Sequence, residues 1–282
     1  MTILITGARG KVGQAVLDRL HAAGLPVRAA SAKPAELTVP AGIEAVELVL
    51  DRPGTFAAAL DGVRKVFLYP EPAGIAAFVE AARAAGVEHV VLLSSASVLA
   101  PDAATDPLAS HSLRVEQALT ASGLSCTFLR PDAFASNAFA WAHPIAHGLP
   151  VQLAYPAAHI APIHPEDIAD VAVEALTGTS LAGRAVTLTG ARSMTFREQL
   201  ATLADVLGHD VTVETITPAE AEQQMSRFMP APMVGSLLAL WAAACAGPAV
   251  IGDTTETLLG TPARSFRQWA VENSAAFTLP KE

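Results

Sequence analysis

The first thirteen residues constrain this chain more than any others. Ile3 to Thr6 is a short run of strand-forming residues, and it leads straight into Thr6-Gly7-Ala8-Arg9-Gly10-Lys11-Val12-Gly13, with glycines three apart. A stretch with helical spacing follows. A strand that turns through glycines into a helix aims backbone N–H groups and a helix N-terminus at one point, with no side chain in the way. That arrangement holds a pyrophosphate. Gly7, Gly10 and Gly13, with Lys11 and Val12 of the same turn, are therefore expected to contact a dinucleotide. A tight turn without a ligand would use the same spacing, but the flanking strand and helix favour the ligand.

The pattern after this turn sets the fold class. Apolar runs at Val27 to Ala30, Ala45 to Leu50, Lys65 to Tyr69, His89 to Leu93 and Cys126 to Leu129 read as strands. Between them, Lys11 to Ala22, Thr55 to Leu60, Ile75 to Ala84 and Leu113 to Ala121 read as helices, stopped by Gly24, Gly62, Gly86 and Gly123. The expectation is an α/β protein, a doubly wound and mostly parallel Rossmann sheet with a smaller, mainly helical C-terminal substrate lobe. Residues 1–155 form the nucleotide domain, with 160–190 returning to its sheet, and residues 191–282 form the lobe. Further on, a helix is expected over Pro165 to Leu176, a strand over Ala185 to Thr189, and a helix from Thr195 to Leu207 that opens with a capping-box spacing to Glu198.

Charge and cysteine usage exclude other classes. The formal net charge is -9 and only four lysines occur, Lys11, Lys33, Lys65 and Lys281, so no basic cluster is present to displace counterions from nucleic acid. Cys126 and Cys245 stand far apart with neither metal nor redox spacing, which fits a reducing cytoplasm. The N-terminus carries no charged leader, so a soluble cytoplasmic protein is expected, either monomer or homodimer. From Phe228 to Gly252 no residue is charged, yet the apolar run Met233 to Ala246 is short for a membrane span and is bracketed by prolines. A buried helix is expected there.

The end of the second strand selects the cofactor. NAD-binding folds place a carboxylate at that point for the ribose 2′-OH, whereas a 2′-phosphate calls for positive charge and hydroxyl donors. Here it reads Ser31-Ala32-Lys33, with Glu36 beyond Pro34 and Arg9 reaching from the glycine turn, so NADP(H) is expected. Arg9 and Lys33 could also be plain solvated charges. Asp51, after the third strand, is a candidate adenine contact, and Tyr69, Ser94 and Pro131 complete the expected cofactor set.

The glycine spacing resembles the short-chain dehydrogenase/reductase superfamily, whose active members usually carry Tyr-x-x-x-Lys. That pair is absent: Tyr69 is followed four residues later by Ala73 and Tyr155 by His159. Together with Leu92-Leu93-Ser94-Ser95-Ala96-Ser97, Val115-Glu116-Gln117-Ala118-Leu119, Phe128-Leu129-Arg130-Pro131, Ile163-His164-Pro165-Glu166-Asp167 and Leu259-Gly260-Thr261-Pro262, the absence is similar to the NmrA-like atypical branch. The resemblance implies an NAD(P)H-dependent quinone oxidoreductase, an iminium reductase, or a sensor that binds dinucleotide without turning it over. It places Ser95 near the superfamily's catalytic Ser/Thr and puts Pro131 and Phe134 beside the nicotinamide.

Reduction of an ordinary ketone develops an alkoxide that needs a proton donor, whereas a quinone, iminium or conjugated carbonyl does not. An activated, small apolar or aromatic acceptor is therefore expected. Ser95 and His111 are the candidate catalytic residues, although Ser95 could equally cap the following turn and a lone His ahead of a helix is more often structural. Phe134, Asn137, Trp141, Met233 and Trp241 are the candidate substrate pocket, with plain core the competing reading. His143, His147, His159 and His164 crowd one region between Asp132 and Glu166 that has no other charge, but no two are expected on one helix face, so no metal is expected.

Overall fold

Seven strands, each beginning at or near an apolar run in the sequence, line up in parallel in one sheet. The computed structural model describes residues 2–279; Met1 and residues 280–282, Lys281 among them, lie outside the described part. The chain begins β1 (Thr2–Ile5), α1 (Lys11–Ala22), β2 (Val27–Ser31), β3 (Glu44–Glu47), α2 (Phe56–Leu60), β4 (Val63–Leu68), α3 (Ile75–Ala84), β5 (His89–Leu93), α4 (Ala109–Ala121) and β6 (Ser125–Pro131). After α5 (Ala142–Ala146), β7 (Val151–Leu153) and β8 (His159–Ile160), α6 (Pro165–Thr177) and β9 (Ala185–Leu188) follow. The remainder is β10 (Met194–Thr195), α7 (Phe196–Leu207), β11 (Val213–Thr215), α8 (Pro218–Met225), α9 (Ala231–Ala243), α10 (Thr254–Leu259) and α11 (Phe266–Glu272).

The sheet order is β3-β2-β1-β4-β5-β6-β9. Strand order reverses between β1 and β4, and ligands of such sheets bind at the carboxyl ends beside that reversal. The central strands are buried on both faces, as β5 shows with all five residues buried, and α1 is tied to α6 by Arg19, which reaches Glu166 at 2.5 Å and Asp170 at 2.6 Å.

Two compact units result, one of Met1–Thr105, Ala109–Pro131 and Pro165–Leu188, the other of Asp106–Leu108, Asp132–His164 and Thr189–Glu282. Residues 132–155 thus belong with the second unit, not with the nucleotide domain as the sequence pattern implied. Strand pairing is the reason: β7 pairs with β11, and β8 with β10, so this stretch satisfies its backbone within the later part of the chain. The second unit is built around aromatic rings, with Phe139 5.0 Å from Trp269 and Phe196 5.2 Å from Trp241. Its α7 opens with the expected capping box, the Glu198 N–H donating to Thr195 Oγ1 at 3.1 Å and the Thr195 N–H to Glu198 Oε2 at 2.7 Å.

Two boundaries and the burial of one helix differ from expectation for physical reasons. The third strand stops at Glu47, because the Val49 N–H turns to Thr55 Oγ1 while Leu48 and Leu50 are buried from a loop. α4 begins at Ala109 instead of Leu113: Ala109, Ser110 and Ser112 are buried, so packing overrides the weak helix propensity of Ser-His-Ser, and His111 sits inside the first turn. The uncharged helix α9 is not a buried one. Only Val234 and Leu238 are buried, Leu240 is 52% exposed and Phe228 ahead of it 91%. Among the described residues no helix is long and apolar enough to cross a membrane.

One buried group ties stability to pH. His89, at the start of β5, donates from Nε2 to Thr127 Oγ1 at 3.1 Å, since that hydroxyl's own hydrogen goes to the Leu181 carbonyl, and its Nδ1 accepts from Ser125 Oγ at 2.9 Å. Burial, and after it the charge of Lys65, hold its pKa below the usual 6.5. Between the two values the unfolded chain binds a proton that the folded chain does not. Stability therefore falls as pH drops through about 6.5 and goes on falling until the lowered folded pKa is reached. Urea midpoints measured across that window should fall in the wild type and fall less steeply in His89→Gln; equal slopes would remove His89 as the cause.

Candidate active site

The glycine turn is built for close approach. Gly7 has φ +64°, in the left-handed region, and a Cβ there would lie 3.2 Å from Tyr69 Cβ. The Gly10 N–H donates to the Gly7 carbonyl at 2.9 Å, and a Cβ on Gly13 would stand 2.4 Å from that same oxygen, so α1 can pack against the turn only through glycine. No side chain caps the N-terminus of α1 and its first turn carries no acid. Uncapped N–H groups at a helix N-terminus suit an anion, which is what a dinucleotide pyrophosphate offers. The side chain of Val12 is buried in the core, and Lys11 opens the helix. Tyr69 is exposed just past β4, its N–H held by Thr6 Oγ1 at 2.7 Å, which places the ring beside Gly7.

At the end of β2, Ser31 Oγ accepts from the Lys33 N–H at 3.1 Å and thereby shapes the loop. Glu36, in a single turn of tight helix at Pro34–Glu36, receives both expected phosphate contacts, Lys33 Nζ at 2.9 Å and Arg9 at 3.5 Å. The two basic side chains thus converge on one anion from separate segments. Asp51 is exposed in the loop after β3.

The carboxyl ends of β5 and β6 carry a buried network that the sequence analysis did not single out. Glu116 on α4 is 4% exposed; it accepts from Ser94 Oγ at 2.5 Å and from Arg130 Nη2 at 2.6 Å and Nε at 3.0 Å. Its carboxylate, through these bonds, holds the Arg130 guanidinium above its usual pKa range. A signal was present: Ser112, Glu116 and Leu119 share one face at helical spacing, so Glu116 sits where a core residue belongs. Ser94, expected as a cofactor contact, spends its hydroxyl on Glu116 and its N–H on the Leu129 carbonyl at 2.7 Å. Pro131 closes β6 and is buried.

Ser95 lies two residues beyond β5 and caps the turn Ala96–Leu99, accepting from the Ser97 N–H at 3.2 Å and sharing a hydrogen with Ser97 Oγ at 2.9 Å. His111 Nε2 lies 3.0 Å from the Pro70 carbonyl. A carbonyl only accepts, so Nε2 carries the hydrogen.

The expected pocket residues all lie in the second unit. Trp141 and Trp241 meet on opposite contacts of Phe196, at 5.9 Å and 5.2 Å, and belong to its aromatic core. Phe134 is half-buried and forms an isolated bridge to Ile163, Met233 is half-buried in the first turn of α9, and Asn137 is exposed. His143 and His147, four residues apart, bring their rings to 4.2 Å at a tilt of 39°, which corrects the expectation that no two histidines share a helix face. His159 instead meets Ser193 Oγ at 3.3 Å and His164 meets Glu272 at 3.0 Å. Burial lifts the Cys126 thiol to about 11, so it is not a thiolate at neutral pH.

Comparison with known proteins agrees with this geometry. The model of an NAD(P)H-binding family matches residues 7–179. The chain is 39% identical to the (4-alkanoyl-5-oxo-2,5-dihydrofuran-3-yl)methyl phosphate reductase of Streptomyces griseus subsp. griseus, covering 98% of this chain and 99% of that protein. It is 32% identical to the NAD(P)H azoreductase of Xenophilus azovorans, over 98% of this chain and 99% of that one. In fold it is similar to an NADPH-dependent quinone oxidoreductase from Escherichia coli solved with NADPH, at a TM-score of 0.80 and 22% identity over 96% of this chain and 99% of that chain. With a glycine cradle at the sheet's switch point and no Tyr-x-x-x-Lys pair, this chain belongs to the NAD(P)H-binding, NmrA-like atypical short-chain dehydrogenases/reductases, and is an NAD(P)H-dependent oxidoreductase of that type.

Proposed function

We propose that the chain transfers hydride from NADPH to an electron-poor acceptor, a conjugated carbonyl, quinone or iminium, by positioning rather than by acid catalysis. The observation that carries this reading is the state of the two candidate proton donors. Ser95 is engaged in capping its own turn, and the proton on His111 Nε2 is held by the Pro70 carbonyl. Neither is poised as a free donor, and neither tyrosine belongs to a Tyr-x-x-x-Lys pair.

The acceptor named for the furanone reductase relative has the matching chemistry. Hydride added to an alkene whose one carbon carries two carbonyls leaves an enolate spread over both oxygens. Such a step demands no strong acid in the transition state, so holding donor and acceptor in register supplies most of the acceleration. NADPH is favoured over NADH because Arg9 and Lys33 converge at the end of β2, where a 2′-phosphate would lie.

A panel of enones, quinones, azo compounds and imines, followed through NADPH absorbance, tests the reading. At least one class should be reduced, and His111→Phe should lower kcat less than about tenfold, below the range of a general acid. A loss beyond about a hundredfold, with NADPH affinity unchanged, would make His111 the proton donor and end the positioning mechanism. If no acceptor oxidises bound NADPH while a partner protein binds only the cofactor-loaded chain, the non-catalytic sensor reading replaces this one.

A further inference from the structure

We infer that Glu36 stands in for the 2′-phosphate of the cofactor and limits how strongly the chain prefers NADPH over NADH; this rests on the 2′-phosphate site proposed above. The basis is the convergence already described. Arg9 leaves the glycine turn and Lys33 leaves the loop after β2, yet both end on the carboxylate of Glu36, at 3.5 Å and 2.9 Å. Spacing along the chain accounts for the Lys33 contact. It does not account for Arg9.

The side chains of Arg9, Glu36 and Lys33 are 57%, 53% and 65% exposed, so these pairs are weak and open readily. A 2′-phosphate carries close to two negative charges and needs the same two cations. When it arrives, Glu36 either gives up both partners or stays and repels it, and each outcome weakens NADPH binding. NADH carries a 2′-OH at that position, which can donate to a carboxylate. One residue therefore penalises NADPH and assists NADH, which narrows the gap between them.

The opposing effect is loss of orientation: without Glu36, Arg9 and Lys33 are freer, and fixing them costs entropy on binding. For side chains this exposed the effect is small beside the removal of a full like charge next to a phosphate. Glu36→Gln keeps the size and removes the charge. NADPH should bind about fivefold tighter and NADH about twofold weaker, so the ratio of their dissociation constants widens about tenfold. Raising the ionic strength should shrink the NADPH effect, because the charges are exposed.

The test is a titration of wild type, Glu36→Gln, and Arg9→Ala with Lys33→Ala, read by tryptophan fluorescence. The probes are NADPH, NADH, and the fragments adenosine 2′,5′-bisphosphate and AMP, which need no turnover. Support is a tighter NADPH and 2′,5′-bisphosphate constant in Glu36→Gln with AMP, like NADH, about twofold weaker. If that constant is unchanged or weaker while the Arg9/Lys33 double variant loses NADPH affinity, the phosphate site stands and the role of Glu36 is overturned. If the double variant keeps its NADPH affinity, the phosphate site itself fails and the inference falls with it.

Discussion

Glu116→Ala is expected to destabilise the chain by about 3 kcal/mol, the lower end of what removing one partner of a buried ion pair costs. The carboxylate is almost wholly buried and binds three donor groups from two strand ends, Ser94 Oγ after β5 and the Nε and Nη2 groups of Arg130 on β6. Truncation leaves the guanidinium and a serine hydroxyl without their acceptor in a site that water reaches poorly. Arg130 keeps 21% of its side chain exposed, so it can recover part of its hydration, and this sets the lower end of the range.

The reverse truncation should cost more. Arg130→Ala strands the charge on the less exposed partner, a buried carboxylate that keeps the Ser94 hydroxyl but loses both guanidinium hydrogen bonds. Replacing both, as Glu116→Leu with Arg130→Met, fills the space and leaves no ion behind, so at least half of the loss should return. Urea denaturation of the three variants gives the comparison. A cost under about 1 kcal/mol in Glu116→Ala would mean that the network behaves as a surface pair. Because Glu116 holds Ser94, and Ser95 and the following turn start there, a fall in stability should come with a rise in KM before kcat changes.

How far this site was legible follows from what kind of information each residue carries. The limits of β5, α1 and α3 are read to the residue from apolar spacing and glycine stops, because those elements bury what the pattern marks as apolar. The glycine turn between β1 and α1 is legible too, since glycine spacing and chain position together define it. Glu116 was hidden by its charge, although it sits at a core position of α4. A charged residue on an apolar face reads as an exception until its partner is known, and Arg130 is brought to it only by the sheet.

Glu36 and Ser95 were hidden differently. Whether a terminal serine faces a ligand or caps the next turn depends on the backbone direction at that residue, here φ −147° and ψ 146°, which residue identity does not carry. The meeting of Glu36 with Arg9 depends on how the loop after β2 folds past Pro34. α9 misleads in the opposite sense. An uncharged stretch reads as buried, yet lack of charge permits burial without requiring it, and here only Val234 and Leu238 turn inward.

Gly13→Ala should cut NADPH affinity by more than about a hundredfold and lower the stability of the free protein by about 1–2 kcal/mol. The added Cβ would stand 2.4 Å from the Gly7 carbonyl oxygen, 2.8 Å from its carbon and 3.2 Å from the Ala8 nitrogen, all backbone atoms that no rotamer change can move. Either the glycine turn or the start of α1 must shift, and the N–H groups proposed to hold the pyrophosphate lose their common aim. Inside a helix alanine gains up to about 1 kcal/mol over glycine, which offsets part of the strain in the free protein but none of the damage to the cradle. At a cofactor concentration one hundred times the wild-type dissociation constant, binding stabilises the wild type by about 2.7 kcal/mol, against about 0.4 for a variant that binds a hundredfold more weakly. Gly24→Ala is the control. Gly24 follows α1 at φ +71° with nothing within 4 Å of an added Cβ, so it should lose about 1 kcal/mol of stability from backbone strain and keep the full gain from NADPH. Thermal unfolding of the three proteins with and without NADPH separates these effects, and a Gly13→Ala protein that gains as much from NADPH as the wild type would show that the pyrophosphate does not sit on this turn.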